Sequence, residues 1–128
     1  MPNLPLVSII DDDESALTAT NNLVRSLGLR TYAFGSAEDF LESRCLQETS
    51  CLITDVKMPG TSGVELQRSL MTLADPPPVI FVTAFPDEGL RARVIRDGAI
   101  AYLRKPLDGK TLMEHLSAAL ERARPTVE

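Results

Sequence analysis

Five short apolar runs punctuate the chain: Leu6–Ile10, Arg30–Phe34, residues 51–54, Val79–Thr83 and residues 100–104. Each has the length of a strand. Between them, apolar residues recur three and four apart, the spacing of one helix face. Leu17, Leu23, Val24 and Leu27 mark a first helix of about four turns. The acids and Ser15 before it suit free backbone N–H groups, and Gly28 suits its end. Ala37, Phe40 and Leu41 mark a short second helix, with Ser36 and Asp39 spaced as in a capping box. Residues 46–50 read as connection. Val64, Leu66, Leu70, Met71 and Leu73 mark a third helix after the turn-rich residues 58–63. Pro76, Pro77 and Pro78 cannot be helix interior. Leu90, Val94 and Ile95 give the fourth helix a weak face that ends at Asp97-Gly98. Leu112, Met113, Leu116, Ala119 and Leu120 mark the last helix, started by Asp108. Residues 124–128 read as frayed.

Strand and helix thus alternate five times. Strands this short and this apolar are covered on both faces, as in a parallel sheet between helix layers. Right-handed crossovers leave few topologies. The expectation is an α/β fold, a flavodoxin-like (βα)5 three-layer sandwich with a five-stranded parallel sheet in order 2-1-3-4-5. Its switch point lies between strands 1 and 3.

Composition narrows the classes. With 128 residues the chain reads as a single domain, 1–128, with a core at about 6–122. A net charge of −5 argues against general binding to nucleic acid. No run suits a membrane span, and Met1-Pro2-Asn3-Leu4-Pro5 has no secretory pattern, so a cytoplasmic setting is expected. Cys45 and Cys51 read as two reduced, partly buried thiols. The single histidine, His115, rules out four-ligand zinc binding and reads as an exposed residue of the last helix.

The expected topology gathers distant residues. Strands 1 and 3 are neighbours, so Asp11, Asp12 and Asp55 meet at one sheet edge. Strands 4 and 5 bring Thr83 and Lys105 to the same place. Three adjacent carboxylates repel and titrate as a unit unless a cation relieves them. Magnesium suits an all-oxygen site with one or two carboxylates. Asp12 and Asp55 are the expected direct ligands, the backbone carbonyl of Lys57 a third, and Asp11 acts mainly through water. Asp55, at the mouth of the middle strand, is the expected nucleophile toward a phosphoryl group. The Lys105 ammonium and the Thr83 hydroxyl serve the phosphoryl oxygens. Movement of Thr83 vacates space into which Tyr102 swings, altering the surface. Singly, these residues have ordinary readings: helix cap for Asp11 to Glu14, strand-end turn for Asp55, strand positions for Thr83 and Tyr102, and a solvated lysine for Lys105.

Four motifs in order resemble a known family. They are Ile9-Ile10-Asp11-Asp12-Asp13, Asp55 followed by Met58-Pro59 and Gly63, Val82-Thr83-Ala84, and Tyr102 with Lys105-Pro106. Together they resemble a response regulator receiver domain of the CheY-like family, over about residues 6–122. The fourth-helix region, with Phe85-Pro86, Arg91, Arg93 and Arg96, is similar to FixJ-like receivers. The resemblance implies a phospho-accepting switch of a two-component system rather than an ordinary enzyme. It implies phosphorylation of Asp55 by a sensor histidine kinase or a phosphotransfer protein, magnesium dependence and slow autodephosphorylation. It also implies a cis peptide before Pro106, and an output face of fourth helix, fifth strand and last helix that could carry a homodimer. Leu107 departs from the Phe often found after Lys-Pro, a packing position. A second resemblance, to haloacid-dehalogenase-type phosphatases, makes Asp11 the nucleophile in Asp11-Asp12-Asp13. It lacks paired acids after Lys105 and room for a cap. A third alternative is a degenerate receiver serving as a binding scaffold. Cognate kinase, regulated process and any output domain are not encoded here.

Overall fold

The computed structural model describes residues 5–123. Five strands form one parallel sheet: β1 (Leu6–Ile10), β2 (Arg30–Phe34), β3 (Cys51–Asp55), β4 (Val79–Thr83) and β5 (Ala101–Arg104). Their order is β2-β1-β3-β4-β5, as expected. The helices are α1 (Glu14–Ser26), α2 (Ala37–Leu41), α3 (Cys45–Glu48), α4 (Gly63–Leu70), α5 (Glu88–Arg96) and α6 (Gly109–Ala123). The expected fourth and last helices are therefore α5 and α6. The expectation for residues 124–128 lies outside the described residues.

Alternation along the strands sends side chains to two layers. Val7, Ile9, Cys51, Ile53, Ile80 and Val82 face one side, where Val24 of α1 and Leu112, Leu116 and Ala119 of α6 cover them. Ile10, Leu52, Val79 and Phe81 face the other, under Phe40, Leu66, Leu70 and Val94 of α2, α4 and α5. β1 and β4 are buried along their whole length. β2 is not: as an edge strand with one neighbour it exposes Arg30, Tyr32 and Ala33.

Several local expectations are revised. Residues 45–48 form a helical turn rather than plain connection. The Ser43 hydroxyl accepts the Cys45 N–H at 3.2 Å, and the Thr49 hydroxyl donates to the Cys45 carbonyl. Met71 and Leu73 fall beyond the end of α4 and are exposed. Ile95 and Met113 sit on outward turns of their helices and are likewise exposed. Ile100 precedes β5, and its N–H donates to Val79 O. His115 is half-buried on α6 rather than exposed. Cys51 is buried in the strand core, where desolvation pushes its thiol up to about 12.

Candidate functional site

Strand register lines up the site. Ile10 pairs with Thr54, so Asp11 and Asp55 stand one step beyond at the carboxyl edge. Asp55 pairs with Val82, and Thr83 pairs with Arg104, which brings Thr83 and Lys105 to the same edge. The carboxylates of Asp11, Asp12 and Asp55 each offer an oxygen within 4.8 Å of the others. Around one magnesium, adjacent ligand oxygens lie ~3 Å apart and opposite ones ~4.2 Å. Oxygens held this close can share one hard cation, directly or through its bound waters.

Charge at the site is compensated by one lysine. Lys105 Nζ donates to Asp11 Oδ2 at 2.6 Å and to Asp55 Oδ2 at 2.9 Å. Burial raises the Asp11 pKa, and the Lys105 contact only partly offsets that rise. Burial also opposes the charge on Lys105, but its bonds to Asp11 and Asp55 prevail and raise its pKa. A desolvated carboxylate with a raised pKa beside two others is the environment a divalent cation relieves.

The remaining expected residues occupy defined places. Asp12 is exposed beside the buried Asp11, whose Oδ1 accepts the Asp13 N–H at 2.9 Å. Asp13 then caps α1, accepting from the Ser15 and Ala16 amides. Lys57 is exposed, and its N–H donates to Asp55 Oδ1 at 3.2 Å. Thr83 is buried, and its Oγ1 accepts the Phe85 N–H at 3.1 Å. Among the described residues no hydrogen bond joins it to the carboxylates. Tyr102 is half-buried, and its hydroxyl accepts the Asp87 N–H at 3.1 Å, at the start of α5. The Lys105–Pro106 peptide is cis.

The supports of the site around α4 go beyond what the sequence reading named. Gly63, already part of the motif that follows Asp55, opens α4 directly against the end of β3: a Cβ there would lie 2.3 Å from the Asp55 carbonyl. Ser62 and Glu65 form a complete capping box at the same helix start, a Ser-x-x-Glu signal that the sequence does carry. Glu38 of α2 accepts the Thr61 N–H at 2.8 Å across 23 residues of sequence, a contact with no local signal.

Comparison with known proteins agrees with this geometry. The response regulator receiver domain family matches residues 7–117. Nodulation protein W of Bradyrhizobium diazoefficiens is 40% identical over 119 residues, 93% of this chain and 52% of that protein. The chain spans about half the length of the curated relatives it matches. The structure of response regulator StyR superposes with a TM-score of 0.85 at 36% identity, covering 94% of this chain and 61% of that one. The structure described as FixJ-N gives 0.85 at 28% identity, covering 98% of this chain and 100% of that one. Receivers are signalling modules rather than enzymes of the ordinary kind, which removes the dehalogenase-type alternative. Among the described residues no helix is long and apolar enough to cross a membrane. With fold, motif order and acidic cleft in agreement, the chain belongs to the response regulator receiver domains of two-component systems.

Proposed function

We propose that Asp55 accepts a phosphoryl group from the phosphohistidine of a sensor histidine kinase or phosphotransfer protein in the cytoplasm. A carboxylate oxygen of Asp55 forms the new O–P bond as the N–P bond breaks, and the imidazole leaves. The observation that carries this reading is the placement of Asp55. Asp11 and Asp55 both touch Lys105 and share an oxygen cluster with Asp12, but Asp55 ends the middle strand and its side chain is 13% exposed where that of Asp11 is 2%. Asp12, Asp55 and the Lys57 backbone carbonyl would hold magnesium directly, and Asp11 would hold it mainly through water. When bound, the ion neutralises phosphoryl oxygen charge. Lys105 must release a carboxylate to reach a phosphoryl oxygen of its own. Thr83 gives up the Phe85 amide and turns its hydroxyl toward another.

These exchanges explain a switch. Freeing the Phe85 amide loosens the turn before α5, where Phe85 itself is 82% exposed. That turn also carries the Asp87 amide bonded to Tyr102. Inward motion of Tyr102 breaks this bond and alters the α5-β5-α6 face, the surface for an output partner or a second copy. The chain acts as one receiver unit, 1–128 with its core at about 6–122, and as the receiver part of a longer regulator in the manner of its curated relatives.

The test is labelling by acetyl phosphate with and without magnesium. Wild type should gain one aspartyl phosphate, read by intact mass, only with the metal. Asp55→Asn should gain none. Undiminished labelling of Asp55→Asn would overturn the assignment.

A further inference from the structure

The loop after Asp55 is pinned at its base by two bonds. The Gly63 N–H donates to Val56 O at 2.8 Å, and the Lys57 N–H donates to Asp55 Oδ1 at 3.2 Å. Its tip, Pro59-Gly60-Thr61, has no such neighbour within the loop. One side chain reaches it from another element. Glu38 of α2 accepts the Thr61 N–H at 2.8 Å. Gly60, at φ +74°, passes so close that a Cβ would lie 2.8 Å from Glu38 Oε2. The left-handed backbone at Gly60, rather than the approach of the movable Glu38 carboxylate, is what requires glycine there. The hydroxyl and amide of Thr61 hold the Glu38 carboxyl below its ordinary range, so it is an ionised acceptor at neutral pH.

The geometry points to Glu38 as a positioning residue for the metal-binding loop: by holding Thr61 it sets where the Lys57 backbone carbonyl stands, and so how tightly the site takes magnesium. This rests on the receiver reading above, in which that carbonyl is a ligand. Glu38 touches neither metal nor phosphoryl group. Its effect is to order, before the ion arrives, a loop that would otherwise be ordered at binding. Residues that orient a metal's ligands from outside typically lower metal affinity or activity when they are lost; because Glu38 touches Thr61 and not the reacting groups, the effect here falls on affinity.

Three variants separate the causes. Glu38→Gln keeps the reach and an acceptor oxygen but loses the charge. Glu38→Asp keeps the charge but is one methylene short. Glu38→Ala lacks both. Each full chain, labelled with nitrogen-15, is titrated with magnesium chloride alone, following the Lys57 and Thr61 amides. Phosphorylation by acetyl phosphate is then measured as a function of magnesium. The Gln variant should bind magnesium within about twofold of wild type. The Asp and Ala variants should weaken it roughly tenfold, the low end for such partners. Thr61 amide exchange should accelerate only in these two. At saturating magnesium all four proteins should be labelled at the same maximal rate, and thermal midpoints show that the variants are folded.

Equal magnesium affinity in all four proteins, with wild type still labelled, would overturn the role of Glu38 and leave the receiver reading intact. A reversed order, Asp near wild type and Gln impaired, would overturn it too, because charge rather than reach would then matter. A wild-type chain that takes neither magnesium nor phosphate would overturn both.

Discussion

Asp11 is 2% exposed, and Lys105 is the side chain that answers its charge. A carboxyl with a raised folded pKa contributes stability below its unfolded value, and that contribution is lost as pH rises through the folded one. Lys105 follows the same sign in a different window, so its contribution is still present at neutral pH. Its raised pKa stabilises the fold below the ordinary lysine value and is lost only in strong alkali. Lys105→Met should therefore leave Asp11 uncompensated and cost about 2 kcal/mol in metal-free protein at pH 7. The deficit should shrink as pH falls toward the ordinary carboxylate range, because Asp11, whose pKa burial raises, takes up its proton in the folded chain before it does in the unfolded one. Urea unfolding of both proteins across that range measures it; a deficit independent of pH would place the cause elsewhere. At this scale the sequence was informative about identity. Asp11, Asp55 and Lys105 each end an apolar run, and parallel pairing puts such ends together. It was silent about partners. That Thr83 bonds the Phe85 amide, and Tyr102 the Asp87 amide, depends on side-chain directions that no run of residues encodes.

Among the elements, α4 binds the fold most closely to the site, because it begins against the Asp55 backbone. Its capping box satisfies amides that would otherwise be orphaned. Ser62→Ala should cost about 1 kcal/mol in unfolding free energy. Gly63→Ala should cost more, about 3 kcal/mol, because its Cβ meets the Asp55 carbonyl at 2.3 Å and backbone must shift. It should also slow phosphorylation, which Ser62→Ala should not. Chemical denaturation with acetyl phosphate labelling checks both, and equal stability of the two variants would show that the helix start has room to move. Apolar spacing located this helix but overran its end. Met71 and Leu73 keep the helical spacing, yet the chain has turned away by then, and both face solvent. α3 went unread for the opposite reason. One turn, residues 45–48, is too short to show a period and is held by hydroxyls rather than by an apolar face.

The whole molecule closes around a cluster of like charge that one lysine only partly balances. If the triad takes magnesium as proposed, the ion should stabilise the folded chain, because the unfolded chain does not hold the three carboxylates together. At a concentration one hundred times its Kd the gain is about 2.7 kcal/mol. The thermal midpoint should rise with magnesium in wild type and stay level in Asp12→Ala. A rise of the same size in that variant would move the metal away from the triad. Sheet order was legible because five apolar runs alternating with helical spacing, under right-handed crossovers, leave few arrangements. The burial of β2 was overestimated although the expected order already put it at an edge, because Arg30-Thr31-Tyr32-Ala33-Phe34 is a mixed run whose Arg30, Tyr32 and Ala33 face solvent.

By itself, the order of residues determined which segments are strand and helix, which carboxylates and which lysine end the strands, and hence the family. Those properties follow from local periodicity and from motifs whose spacing survives without coordinates. Only the tertiary structure decided how the parts engage: Lys105 bridging Asp11 and Asp55, Gly63 against the Asp55 carbonyl, and Glu38 reaching the tip of the loop. These contacts join residues that chain distance keeps apart. They form because packing two helix layers on one sheet brings those groups within hydrogen-bonding or van der Waals reach.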